Sequence, residues 1–253
     1  MTNRHTKILE ILSKYQRIEV SILAEMLEVS QVTVRKDLDY LEDRDLIRRE
    51  HGFACIDTGD DIGKRMARHY KVKHLIAQKA AETVEDGETM MIESGSCCAI
   101  LAEEIANTKR DITIVTNSVF IANHIRYAPY GKVILLGGYY LGESQVTVGP
   151  ITQKSSADFF SDKFFIGTDG FTEKFGFTGK DYLRAQTVRD LAEQARQIIV
   201  LTESEKFFHQ GVVGLINTED VRAVYTDEKI PADKEAFLLE KGVSVYKVKI
   251  DEQ

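Results

Sequence analysis

Gln31, Thr33, Arg35 and Lys36 crowd the first turns of one helical pattern, directly behind Ser30. These residue types read double-stranded DNA: arginine pairs with the guanine edge, glutamine with adenine, and threonine or lysine holds phosphates. Arg48, Arg49 and His51 follow on a short basic stretch closed by Gly52. A second group carries anion and sugar chemistry: Ser94, Gly95, Ser96 and Cys97, then Thr116, Asn117 and Ser118, then Gly138, Asp169 and Lys206. A Ser-Gly-Ser turn that opens a helix offers hydroxyls and backbone N–H groups to a phosphate. Asn117 and Asp169 could hydrogen-bond sugar hydroxyls, and Lys206 could hold the phosphate as a point charge.

The first group needs a helical scaffold. Ile8, Leu9, Ile11 and Leu12 predict a helix over 3–15. Ser21 reads as the N-cap of a second helix with Leu23, Ala24 and Leu27 inward, and Val29 fills a tight turn. Ser30 caps a third helix through about residue 43, with Val34, Leu38 and Leu41 inward and Gln31, Thr33, Arg35, Lys36 and Asp39 facing elsewhere. Leu46 and Ile47 begin a strand carrying Arg48 and Arg49, His51-Gly52 turns it, and 53–56 returns. A polar helix face alone is ordinary solvated surface. The turn spacing, the cap and the following hairpin together predict a winged helix-turn-helix, with wing arginines near phosphates or the minor groove.

The second group falls on strand ends. Strand-like runs at 89–92, 112–115, 133–136, 164–167, 198–201, 223–225 and 243–246 alternate with helical patterns at 98–105, 119–126 and 184–195. This order predicts βαβ units and a mostly parallel sheet. An amphipathic helix over 71–85 bridges into it, and DTGDDIG at 57–63 is the natural boundary. The expected division is 1–57 for the winged helix, 58–74 for a linker and the start of the bridging helix, and 75–253 for an α/β unit. In open α/β sheets ligands collect at the carboxyl ends of strands. Polar clusters on five successive strand ends point there, although each alone is ordinary turn chemistry.

Composition bounds the alternatives. The chain has 253 residues, 43% hydrophobic and 29% charged, and a net charge of −7, the wrong sign for a protein coating DNA with its whole surface. Its basic residues must therefore act by placement. No apolar run approaches the roughly 18 residues of a membrane span. The amino end moves straight into amphipathic periodicity without a secretory pattern, so the expectation is a cytoplasmic protein. Cys55, Cys97 and Cys98 suit reduced thiols better than a disulfide framework, and His69 and His74 lack ligand spacing, so no metal is expected.

Residues 8–54, through LAEMLEVS, TVRKDLDYLE and IRREHGFA, resemble the DNA-binding module of the deoxyribose-operon-repressor (DeoR) family of bacterial regulators. TNS, LLGG, VGP, DKFFIGTDGF and SEKF are similar to that family's sensor domain, itself similar to ribose-5-phosphate isomerase A. The resemblance implies a repressor of a carbohydrate operon, released from operator DNA by a phosphorylated sugar or polyol, without a cofactor; a homodimer or homotetramer is expected because paired half-sites need a symmetric protein. By matching position it puts the phosphate loop on Ser94 to Cys97 and the phosphate lysine on Lys206. The chain departs from the family with Phe53 for a wing glycine, Arg44-Asp45 for glycine, Glu93-Ser94 for Asp or Gly-Pro-Gly, and Cys97-Cys98 for Thr-Thr. Arg184 stands where the family commonly has Glu and could add a second anion contact; Glu203-Ser204-Glu205-Lys206-Phe207-Phe208 replaces Asp-Ser-Ser-Lys-Phe-Gly.

The rival from another class is a sugar-phosphate isomerase with an accessory DNA-binding domain. Isomerisation needs a general base beside the bound carbonyl and a group that stabilises the enediolate. Asp169 could serve, but the isomerase's Lys-Gly-rich loop and following acid are missing, so no enzyme is expected. A third reading, an adaptor binding only proteins, would show no salt-dependent DNA binding.

Overall fold

Ile8, Leu9 and Leu12 line one face of α1 (Asn3–Tyr15), and all three are fully buried. β1 (Arg17–Glu19), α2 (Val20–Met26), α3 (Gln31–Glu42), β2 (Arg48–Glu50), β3 (Phe53–Cys55) and α4 (Ile62–Ala67) follow. The computed structural model describes residues 3–44, 46–56 and 62–250, and the chain divides into two compact units, Met1–Lys71 and Val72–Gln253. In the first unit Leu23 and Ala24 of α2 pack with Val34, Leu38 and Leu41 of α3 and the α1 stripe. Each such leucine contributes roughly 1.5–3 kcal/mol by leaving water.

Three features of this unit differ from the sequence reading. Ser21 is not a cap: α2 starts at Val20 behind Glu19, and Ser21 Oγ donates instead to Glu19 Oε1 at 2.5 Å. The Val20 N–H is satisfied by Gly52 O at 2.9 Å, a tertiary bond that makes a side-chain cap there unnecessary. The wing sheet has three strands in the order β1-β3-β2, because Arg17–Glu19 pairs with β3. Of the stretch read as a linker, 57–61 lies outside the described residues, whereas Ile62–Ala67 is helical, with Ile62 and Met66 fully buried against α1.

α5 (Tyr70–Ala81) replaces the longer bridging helix expected over 71–85, and it stops where Thr83 and the Gly87 turn (φ 81°) take over the backbone. The chain then continues through β4 (Thr89–Ile92), α6 (Ser96–Thr108), β5 (Ile112–Thr116), α7 (Val119–His124) and β6 (Gly131–Leu135). Next come β7 (Tyr139–Leu141), β8 (Val146–Val148), α8 (Pro150–Ser156), β9 (Ser161–Ile166), β10 (Gly170–Thr172), β11 (Gly176–Gly179) and α9 (Tyr182–Ala192). β12 (Ala195–Leu201), a 3-10 turn (Ser204–Phe208), β13 (Val213–Ile216), β14 (Val221–Asp227), α10 (Ala232–Glu240) and β15 (Ser244–Val248) complete it.

The seven predicted strands all enter one parallel sheet, ordered β15-β14-β12-β9-β4-β5-β6. β9, next to β4, is apolar on both faces, with Phe164, Phe165 and Ile166 fully buried, as a strand covered from two sides must be. The helix expected over 184–195 ends at Ala192 because the chain is already extended in β12 from Ala195. The β7-β8 hairpin and the β10-β11-β13 sheet were not anticipated. Strands run outward from β4 to β6 on one side and from β9 to β15 on the other, so the order reverses between β4 and β9. That reversal is where such sheets open a crevice beyond their carboxyl ends.

Candidate functional site

In the first unit, Ser30 Oγ accepts from Thr33 N at 3.1 Å and so fixes the first turn of α3. Gln31, Arg35 and Lys36 are exposed, and their side chains make no hydrogen bond or ion pair among the described residues. Val34, Leu38 and Leu41 anchor the opposite face, so the polar edge of α3 is held out rigidly. Buried Asp37 ties α3 to α1 by accepting from Arg4 Nε at 2.5 Å and by pairing with His5 Nε2 at 3.1 Å. Burial, the largest influence on Asp37, disfavours its charge, but the bonds from Arg4 and His5 outweigh it and hold the carboxyl below its usual value. Burial pushes His5 below its usual value, only partly offset by Asp37.

The wing residues divide. His51 (φ 34°) and Gly52 (φ 88°) form a two-residue hairpin loop between the paired residues Glu50 and Phe53, and His51 is exposed. Arg48 is exposed on β2. Arg49, also exposed, is turned toward α3: its guanidinium bonds Asp39, and its backbone N–H donates to Glu42 Oε1 at 2.9 Å. The structure thus places Arg49 as a tie between wing and helix.

In the second unit, the loops after β4 and β9 meet at the reversal of strand order. Gly95 permits this: a Cβ there would stand 3.1 Å from Gly167 Cα and 3.2 Å from Cys98 Sγ. Gly95 is also the N-cap of α6 and, lacking a side chain, makes no cap bond, so the leading N–H groups of the helix stand with the positive end of its dipole at the strand reversal. Ser94 is buried and Ser96 half-buried at this turn. Lys206, half-buried in the 3-10 turn after β12, lies close enough for its charge to act on Cys97 and makes no ion pair among the described residues.

Other candidates support the backbone. Thr116 Oγ1 donates to Ile92 O at 2.6 Å and accepts from Ser118 N, and Ser118 Oγ caps α7. Asn117 Nδ2 donates to Thr147 O at 2.9 Å, while its buried Oδ1 has no hydrogen-bond partner among the described residues. Gly138 lies where any Cβ would overlap Thr152 Oγ1. Asp169 Oδ2 accepts from Lys180 N at 3.1 Å, closing the loop after β9. Arg184, on α9, donates to Glu93 Oε1 at 3.2 Å and to Ser94 Oγ at 3.1 Å. Burial, helped by Glu203, pushes the Cys97 thiol far up, and burial, helped by Glu93, does the same for Cys98; neither is an activated nucleophile.

Sequence reasoning missed Lys73 and the pairing roles of Glu93 and Glu203. Lys73 Nζ lies 3.2 Å from Glu203 Oε1, both side chains buried. A lysine inside an amphipathic helix carries no sequence signal of burial. A cleft of about 560 Å³ lined by Arg189, Ala195, Arg196, Leu215 and Asn217 lies at the amino end of β12, the pole opposite these loops. Its Arg189 already bonds Gly214 O and Gln186.

No helix among the described residues is long and apolar enough to cross a membrane. A winged helix-turn-helix joined in one chain to a parallel α/β unit with polar loops at its strand reversal defines a DNA-binding transcription regulator with a sensor domain. Residues 4–59 match the DeoR-like helix-turn-helix domain and residues 68–228 the DeoR C terminal sensor domain, and the chain belongs to the DeoR family. It is 27% identical over 253 residues to a putative aga operon transcriptional repressor of Escherichia coli O157:H7, covering 98% of this chain and 94% of that protein. It is 28% identical over 233 residues to the glycerol-3-phosphate regulon repressor of Escherichia coli strain K12, covering 91% and 92%. Among solved structures it is similar to a D-ribose-5-phosphate isomerase in complex with phospho-erythronic acid (TM-score 0.39, 16% identity, 55% of this chain and 54% of that one). A probable sor operon regulator from Shigella flexneri gives a TM-score of 0.41 at 11% identity, covering 68% of this chain and 88% of that one.

Proposed function

We propose that this regulator represses a carbohydrate-utilisation operon and leaves its operator when a phosphorylated sugar or polyol enters the crevice between the β4 and β9 loops. The observation that carries the reading is the uncapped start of α6 at the reversal of strand order, with Lys206 beside it. Backbone N–H groups, a helix dipole and a lysine with no carboxylate partner among the described residues suit a phosphate. Asn117 Oδ1 is an acceptor suited to a sugar hydroxyl. The names of the aga operon and glycerol-3-phosphate regulon repressors support the substrate class.

On the DNA side, Gln31, Arg35 and Lys36 would enter the major groove, with Thr33 and Ser30 at the helix start and Arg48 and His51 on the flanking wing. Paired half-sites call for a symmetric dimer or tetramer. The effector acts only through its different affinity for two states of the protein, a coupling of about 1–3 kcal/mol. The reading is of a non-catalytic receptor in the cytoplasm.

Thermal stabilisation by a panel of sugar and polyol phosphates, followed by operator release with each hit, tests this directly. Lys206→Ala should bind operator normally and ignore the hit. Release of that variant at wild-type effector concentrations would remove Lys206 from the phosphate site. Turnover of pentose phosphates by the purified protein would favour the isomerase alternative.

A further inference from the structure

We propose that Glu93 and Glu203 are built-in competitors of the effector's phosphate, holding the cations Arg184 and Lys73 that the incoming anion must take over. The proposal rests on the reading of the crevice as an anion receptor and adds how its affinity is set. Three charged side chains are buried here and a fourth half-buried: Glu93 with the half-buried Arg184 at 8% and 16% exposure, and Glu203 with Lys73 at 7% and 4%. Each pair closes at 3.2 Å. Removing such ions from water costs several kcal/mol each, and apolar residues of the same volume often serve stability as well or better. Two such pairs side by side therefore call for a role other than stability.

Both carboxylates lie at the start of α6, Glu93 in the loop before it and Glu203 against its first turn. Glu93 Oε1 accepts from Ser94 Oγ at 2.7 Å, and Arg184 donates to that hydroxyl at 3.1 Å. Cys97 Sγ lies 3.9 Å from Glu203 Oε2. The protein has thus placed its own anions against the uncapped helix start, where negative charge is favoured. A phosphate arriving there meets like charge and must compete with each carboxylate for its cation, so binding is an exchange of partners. Glu203 immediately precedes the turn that carries Lys206, and the Ser204 N–H of that turn is held by Asp227 Oδ2 at 2.7 Å. Exchange at Glu203 therefore bears on the segment that positions the phosphate lysine.

The test is calorimetric titration of the full-length protein with inorganic phosphate, comparing wild type with Glu93→Gln and Glu203→Gln, which keep side-chain volume and remove the competing charge. Each variant should bind phosphate about tenfold more tightly, equivalent to about 1.4 kcal/mol. The gain should persist at about 0.3 M salt, where exposed charges are screened. Glu203→Gln leaves Lys73 facing a neutral amide; if that variant fails to fold, Glu93→Gln decides the outcome, with its melting curve as the control. Wild type that binds phosphate while the folded glutamine variants bind it no more tightly overturns the proposal and leaves the receptor reading standing. Failure of wild type and variants alike to bind phosphate or any sugar phosphate overturns both.

Discussion

The guanidinium of Arg49, on the wing strand, is bonded to the carboxylate of Asp39, on the helix that presents Gln31, Arg35 and Lys36. Wing and helix are thereby set in one register, and the Arg49 N–H on Glu42 reinforces it. The pair is partly exposed, so it contributes no more than about 1 kcal/mol to stability. Arg49→Ala should therefore leave the melting temperature nearly unchanged yet weaken operator binding, read by fluorescence anisotropy. Asp39→Asn should weaken it too. Tighter binding by Asp39→Asn would show Arg49 reaching a phosphate instead.

Arg35 and Lys36 should differ in what each reads on the duplex, a base edge for the first and a phosphate for the second. Arg35→Ala should reduce discrimination between operator and unrelated DNA by about 1–3 kcal/mol per base pairing removed. Lys36→Ala should weaken binding to every sequence and lower the salt slope by about 1. Titrations over a salt series check both, and an unchanged footprint for Arg35→Ala would take it off the reading edge.

Gly52 holds a φ of 88° in the wing loop, and a Cβ there meets nothing within 4 Å. Gly52→Ala should therefore act through backbone conformation alone, costing about 1–2 kcal/mol. The loss should appear in the unfolding of the first unit and in operator affinity, with effector binding untouched.

His5 and Asp37 make the first unit sensitive to acid. Both have folded values below their usual ones of 6.5 and 3.8, His5 mainly through burial and Asp37 through Arg4 and His5 against the effect of burial. A depressed value means that the folded state binds fewer protons, so the stabilisation is complete above the free-chain value and is lost as pH falls. Thermal melts should show a first loss as pH drops below about 6.5, from His5, and a second below about 4, from Asp37. His5→Gln should flatten the first step, and a melt insensitive to pH between 7 and 5 would contradict the assignment.

Gly95→Ala probes the effector crevice without touching a charge. The added methyl must push Gly167 or Cys98 by a few tenths of an ångström, since it would stand 3.1 and 3.2 Å from them. We expect a destabilisation of about 1–3 kcal/mol and a loss of response to sugar phosphates, with operator affinity retained. Wild-type effector response would show that the close approach of the two loops is not needed for binding.

What could be read in the chain was local. The apolar stripe of α1, the Ser30 cap and the His51-Gly52 turn depend on residues a few positions apart, and each stands where the pattern puts it. The inner strands of the parallel sheet were legible because a strand buried on both faces must be an apolar run. β10, β11 and β13 were not, since they are short, glycine-bearing pieces whose pairing with each other supplies what their composition lacks. Ser21 misled for a related reason: the Val20 N–H that starts α2 donates to Gly52 O, far along the chain.

The sequence alone determined the helix-turn-helix core, the seven parallel strands, which of their faces turn inward and that polar clusters crown the strand ends, because propensity, periodicity and turn chemistry act between near neighbours. Only the tertiary structure decided which charges meet. Arg49 with Asp39, Arg184 with Glu93 and Lys73 with Glu203 are pairings across space, and the last two join residues 91 and 130 positions apart. Charge interaction depends on distance and burial, neither of which is written in residue order until the sheet has folded.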